Sequence, residues 1–176
     1  ICEEILKKVN NNTVKIEEDP NANTTLYLVM SNKIFIANLN KSYTRIQTIA
    51  HECLHSIQDK KILWSNFLFS NIFIIIAILG ILKILPYKML FLAIFLVLGL
   101  VYYSIRTYLE NDAMIKARFL AKEYMKEKGI SSKDEIESLV KKYDELNDIG
   151  IKFTNFKFFE GIIIKAVILS FIFMIF

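Results

Sequence analysis

Residues 51–55 read His-Glu-Cys-Leu-His, and His51 and His55 are the only two histidines in the chain. On a helix, positions i and i+4 fall on one face, so both imidazoles can address a single ion. Glu52 stands one residue along, where its carboxylate can reach a water on that ion without ligating it. Two imidazoles, a nearby base and an open coordination position are the requirements of hydrolytic zinc chemistry. Cobalt or manganese would suit the same donors. Cys53 follows His51 by two residues, about 200° round a helix, and is expected to point into packing instead.

A helix must present these residues. Ile46, Ile49, Ala50, Cys53, Leu54 and Ile57 recur at helical spacing and predict one from about Ser42 or Tyr43 to Lys61. Before it, ICEEILKKV has helical spacing and runs into Asn10-Asn11-Asn12. Thr13–Ile16, Leu26–Met30 and Lys33–Ala37 read as short strands, with turns at Pro20-Asn21 and Ser31-Asn32. LYLVM and KIFIA around Ser31-Asn32 suggest a hairpin. Residues 106–128 read as a helix that ends at Gly129. Ser132 and Glu135 then form a capping box for an amphipathic helix ending near Gly150.

The chain is 54% hydrophobic over 176 residues, and the excess is concentrated in runs. Trp64–Leu85 carries only Lys83, Met89–Ile105 carries no charge, and Gly161–Phe176 carries only Lys165. About 20 apolar residues cross a bilayer core. The first two runs, joined through Pro86-Tyr87-Lys88, therefore predict a transmembrane hairpin, and the shorter third run a C-terminal membrane helix. The expected organisation is an α+β membrane protein, mostly helical. Residues 1–61 and 106–157 form two halves of one domain, 62–105 the hairpin and 158–176 the last span. The chain starts at Ile1, as expected of a piece of a longer protein.

A hairpin returns the chain to the side it left, so both domain halves share a compartment. Lys60, Lys61, Arg106, Lys152 and Lys157 flank the membrane on that side, against Lys83 and Lys88 on the other. The bias favours a cytoplasmic domain in a multi-pass membrane protein. The net charge of +4 is interspersed, with no basic stripe, which argues against a nucleic-acid partner. Two distant cysteines make no disulfide framework, as in a reducing compartment.

A catalytic zinc usually takes three protein ligands, so the third must be a carboxylate or the remote Cys2. Glu110 is the best carboxylate, since Tyr103, Arg106, Ala113 and Ala117 place it on the inward stripe of its helix. The competing reading is an i,i+4 ion pair with Arg106. Asp112, turned about 200° away, suits a bond to a ligating histidine. Tyr103 and Arg106 are candidate donors for an oxyanion.

The span from Ile1 through HECLHSIQ, two membrane runs and then Glu110-Asn111-Asp112-Ala113 resembles the YugP-type bacterial membrane zinc metallopeptidases. The matching positions are His51, Glu52, His55, Gln58, Glu110, Asp112 and Ala113. The resemblance implies zinc bound by His51, His55 and Glu110, with Glu52 as general base. Leu54 departs from the glycine common there. The more distant HtpX-type, gluzincin-like membrane peptidases share the order of HExxH, two spans and a glutamate. They place an aspartate where this chain has Met114.

The expectation is a zinc-dependent metalloendopeptidase of the membrane acting on a protein or peptide substrate, which could add as a strand to an exposed edge of the hairpin. Two other readings stand beside it: a silent membrane module with a structural zinc, and a metal-free interaction protein.

Overall fold

The computed structural model describes residues 1–19, 21–38 and 42–176, apart from the side chains of Ser65, Asn66 and Ser70. Pro20, expected to open a turn, lies outside these residues. The protein is mostly helical with one small sheet, and its chain divides into two compact units. One comprises residues 1–60 and 109–151, the other 61–108 and 152–176. The elements are α1 (Cys2–Lys8), β1 (Lys15–Glu18), β2 (Leu26–Leu28), β3 (Lys33–Ile36), α2 (Arg45–Ile57), α3 (Lys60–Ile81), α4 (Lys88–Lys128) and α5 (Lys133–Ile175).

In the first unit, α1 buries Cys2, Ile5 and Leu6, three positions of one face. Glu3 and Glu4 in its first turn and Lys7 and Lys8 in its last complement the helix dipole. Asn10 adopts φ 56°, and Asn11 N–H closes back on the Leu6 carbonyl at 2.9 Å, which terminates the helix with left-handed geometry. The Asn11 amide then donates to the Ser56 carbonyl at 3.0 Å, tying this turn to the end of α2.

The sheet order is β1-β3-β2, with β1 parallel and β2 antiparallel to β3. The β2–β3 hairpin turns through Asn32 at φ 48°, whose side chain accepts from the Tyr27 hydroxyl and donates to the Thr13 carbonyl. Ile34 and Ile36 point to the core, where α2 contributes Ile49, Ala50, Cys53 and Leu54. Ala113, Ala117 and Ala121, four apart on α4 and fully buried, keep that helix's packing face small. Tyr143 of α5 is fully buried, and its hydroxyl donates to the Tyr43 carbonyl at 2.8 Å. The expected capping box at Ser132 and Glu135 forms, with bonds in both directions.

The second unit holds three helical segments that are long and apolar enough to cross a membrane. Only 27, 11 and 17% of their apolar windows are buried, so most of this apolar surface faces outward, as lipid-exposed helices require. Inside the unit, Phe69, Ile76, Leu85, Phe95, Leu169 and Phe173 pack together. Lys83 at φ 57° closes α3, with Ile84 N–H bonded to the Leu79 carbonyl at 3.1 Å. Gly99 and Gly80 sit where side chains of α5 press closest. A Cβ at Gly99 would lie 2.8 Å from Ile162 Cγ2, and one at Gly80 2.7 Å from Phe173.

The first strand lies at Lys15–Glu18 rather than Thr13–Ile16, β2 stops at Leu28, and three helix ends also differ from expectation. The hairpin's second span and the 106–128 helix are one continuous α4, and α5 runs through Gly150 into the last apolar segment. Gly150 does not end a helix because it has no left-handed φ and no following breaker; a lone helical glycine is tolerated at a cost near 1 kcal/mol. The histidine helix stops at Ile57, since Gln58 is extended at ψ 156° and α3 starts afresh at Lys60.

Candidate metal centre

His51, Glu52 and His55 lie on α2 as the spacing requires. The imidazoles meet edge to face, with centroids 4.5 Å apart and an interplanar angle of 88°. Their Nε2 atoms stand 3.0 Å apart. Glu110, 7% exposed on α4, brings Oε2 to 3.5 Å from His51 Nε2 and 3.6 Å from His55 Nε2. All three residues belong to the first unit. Thus the two histidines and Glu110, read from different parts of the chain, form one group that could hold a metal ion.

The spacing of the donors is itself a test of fit. Ligands at 2.0–2.2 Å from a tetrahedral ion stand about 3.3–3.6 Å from one another, close to the three separations found. Two ring nitrogens 3.0 Å apart can share only one proton between them. A cation in that place satisfies both lone pairs and the buried carboxylate together. The described donor group has three members, which leaves a tetrahedral ion one position open.

Gln58 defines which nitrogen of His55 can ligate. Its amide nitrogen donates to the Leu109 carbonyl at 2.9 Å, so its oxygen is the atom 2.8 Å from His55 Nδ1. An oxygen there only accepts; Nδ1 therefore carries a proton, which leaves Nε2 as the nitrogen a metal would take. The same amide ties the end of α2 to the residue preceding Glu110.

Electrostatics describe the group without a cation. Burial pulls the His55 pKa down, but the hydrogen bond and charge of Glu110, with Glu52 and Gln58, outweigh it and hold the pKa above the ordinary value. Without a cation the group therefore retains a proton, which a metal must displace. Burial pushes the Glu52 carboxyl up, partly offset by the two histidines. A raised carboxyl is a stronger base in its ionised form, which suits it to taking a proton and returning it. Glu52 Oε2 accepts from the Tyr27 backbone N–H at 2.6 Å, which sets the base against β2, one edge of the sheet.

The other expected residues make contacts of their own. Asp112 pairs with Lys116 at 2.7 Å, one turn along α4; its described ionic contact is this lysine rather than a histidine. Tyr103 packs edge-on against Phe159, and Arg106 lies 5.0 Å from the centre of the Phe158 ring, both within the second unit. Cys53 is wholly buried, with its sulfur 3.8 Å from that of Cys2. Sequence reasoning did not assign roles to Gln58 or the Tyr27 backbone. For Gln58 the available signal was its place three residues beyond His55; for Tyr27 none existed, because any residue type supplies the N–H.

Compared with known proteins, the chain matches no family model, no curated protein and no solved structure significantly.

Proposed function

We propose that the protein is a membrane-embedded zinc metallopeptidase of zincin type, as its resemblance to the YugP-type enzymes implies. The observation that supports this reading most is the 3.0–3.6 Å triangle of His51 Nε2, His55 Nε2 and Glu110 Oε2, with Glu52 on the same helix. A zinc ion held by those three atoms would lower the pKa of a bound water toward about 7 and polarise a carbonyl.

The protein's own residues account for the rest. Glu52, buried and raised in pKa, takes the proton of the attacking water and returns it to the leaving amine. Gln58 holds His55 in the ligating tautomer. Leu26, Tyr27 and Leu28 are in register with Phe35, Ile34 and Lys33 of β3, and the Tyr27 N–H points to Glu52. That outer edge of β2 is where an extended peptide would add as a strand beside the base, competing with Glu52 for the Tyr27 backbone. The three apolar helices point to substrates at or in the membrane.

The test is Glu52→Gln in the full-length protein in detergent or lipid. Zinc content is expected to stay equal to wild type while cleavage of a membrane-protein substrate falls on the order of 10²–10⁴-fold. Cleavage at the wild-type rate would end the mechanism. His55→Ala is expected to lose the metal as well.

A further inference from the structure

Beside the metal group, and within the same unit, a cavity of about 260 Å³ opens against His51. Thr48 and His51 of α2 bound it, with Met114 of α4 and Leu146 and Gly150 of α5. We infer that this cavity is a specificity subsite that receives a neutral, mainly apolar side chain of the substrate, such as Leu, Met or Phe, adjoining the scissile bond. The inference rests on the peptidase reading of the metal group.

Three observations carry it. First, position: His51 is both a donor of the metal group and a wall of the cavity. A residue bound at the metal therefore has its side chain within reach of this opening. Second, chemistry: among the described residues no Asp, Glu, Lys or Arg lines the cavity, so a charged side chain entering it would be desolvated without a partner among them. The two amides in the wall are committed to each other and to the backbone. Gln47 Nε2 donates to Asn147 Oδ1 at 2.6 Å, and Asn147 Nδ2 donates to the Met114 carbonyl at 3.0 Å. What remains lining the space is the Met114 thioether, the Leu146 isobutyl group, the Thr44 and Thr48 side chains and the His51 imidazole, none of them ionisable except the histidine that the metal group uses. Third, size: the volume falls just below the range for whole small molecules and suits one side chain.

Gly150 limits the depth of the space. A Cβ there would meet only Met114 Sδ at 4.0 Å, so a larger side chain at 150 projects toward the cavity without backbone strain. The Gln47–Asn147–Met114 chain of hydrogen bonds holds α2, α5 and α4 at fixed separation around it. Thioethers adapt to differently shaped apolar groups, which fits Leu, Met and Phe alike.

The test uses full-length, zinc-loaded protein and a series of dipeptide hydroxamates. Their residue beside the chelating group is Gly, Leu, Phe, Asp or Lys, and binding is measured by calorimetry. Leu and Phe compounds are expected to bind roughly tenfold or more tightly than Gly, the range a filled apolar pocket gives, with Asp and Lys no tighter than Gly. Gly150→Leu is expected to reduce the Phe-to-Gly ratio, and Leu146→Asp to raise Lys above Leu, with metal content measured for each. Affinities independent of the side chain, or ratios unmoved by both substitutions, overturn the subsite while leaving the peptidase reading standing. Failure of every hydroxamate to bind zinc-loaded wild type overturns that reading and the subsite with it.

Discussion

At the scale of the residue, the decisive arrangement is one amide. Gln58 accepts from His55 and donates to the carbonyl beside Glu110, so it orients one member of the candidate metal group and anchors the approach to another. Gln58→Ala is expected to weaken zinc binding about 10–100-fold, as loss of a bond to a ligating histidine generally does. Gln58→Glu, which can still accept from Nδ1 but cannot donate to Leu109, should recover part of that loss. Competition against a zinc chelator measures both. Equal affinity in all three proteins would show that His55 is oriented by something else.

At the scale of the element, two contacts make specific demands. Tyr124 and Lys128 of α4 both bond to the Glu4 carboxylate of α1. The Lys128 hydrogen bond, then that of Tyr124, draws the Glu4 carboxyl down to about 2, and burial with Glu4 pushes the Tyr124 phenol up to about 12. A depressed acid stabilises the fold above its unfolded value, and that contribution fades as pH falls toward the folded one. Glu4→Gln should therefore lower the melting temperature near neutrality, the difference from wild type shrinking as pH drops from about 5 toward 2. A pH-independent difference would refute the linkage. In the membrane helices, Gly99→Leu forces a side chain into Ile162, which is 4% exposed. Overpacking of this kind costs about 1–3 kcal/mol. Detergent unfolding of that variant should come earlier than that of a Val97→Leu control at an exposed position.

At the scale of the whole molecule, the charges flanking the apolar helices govern orientation. Lys60, Lys61, Arg106, Lys152 and Lys157 outnumber Lys83 and Lys88, and on the proposed reading the positive-inside rule predicts that the candidate metal group faces the cytoplasm. An impermeant maleimide applied to intact cells should label Lys83→Cys and spare Lys133→Cys. Background is expected to be low because Cys2 and Cys53 are buried. Labelling of Lys133→Cys alone would reverse the topology, and equal labelling of both would remove the hairpin.

The sequence alone determined what depends on local order. Helical periodicity put His51, Glu52 and His55 on one helix, unbroken apolar runs marked three helices able to cross a membrane, and Ser132 with Glu135 marked a helix start. Its own limits were equally physical. A stop signal requires a local cause, and neither Ile105–Arg106 nor Gly150 carries one; α4 and α5 continue where composition changes from apolar to charged. Strand order is set by pairing between distant segments, so the parallel β1–β3 ladder had no local signature. The meeting of Glu110 with the histidines, 55 positions after His55 in the chain, belongs to tertiary structure. Burial stripes made it plausible, but only the core that α2 and α4 share, with the Gln58 bond to the Leu109 carbonyl, decides the distance between those side chains.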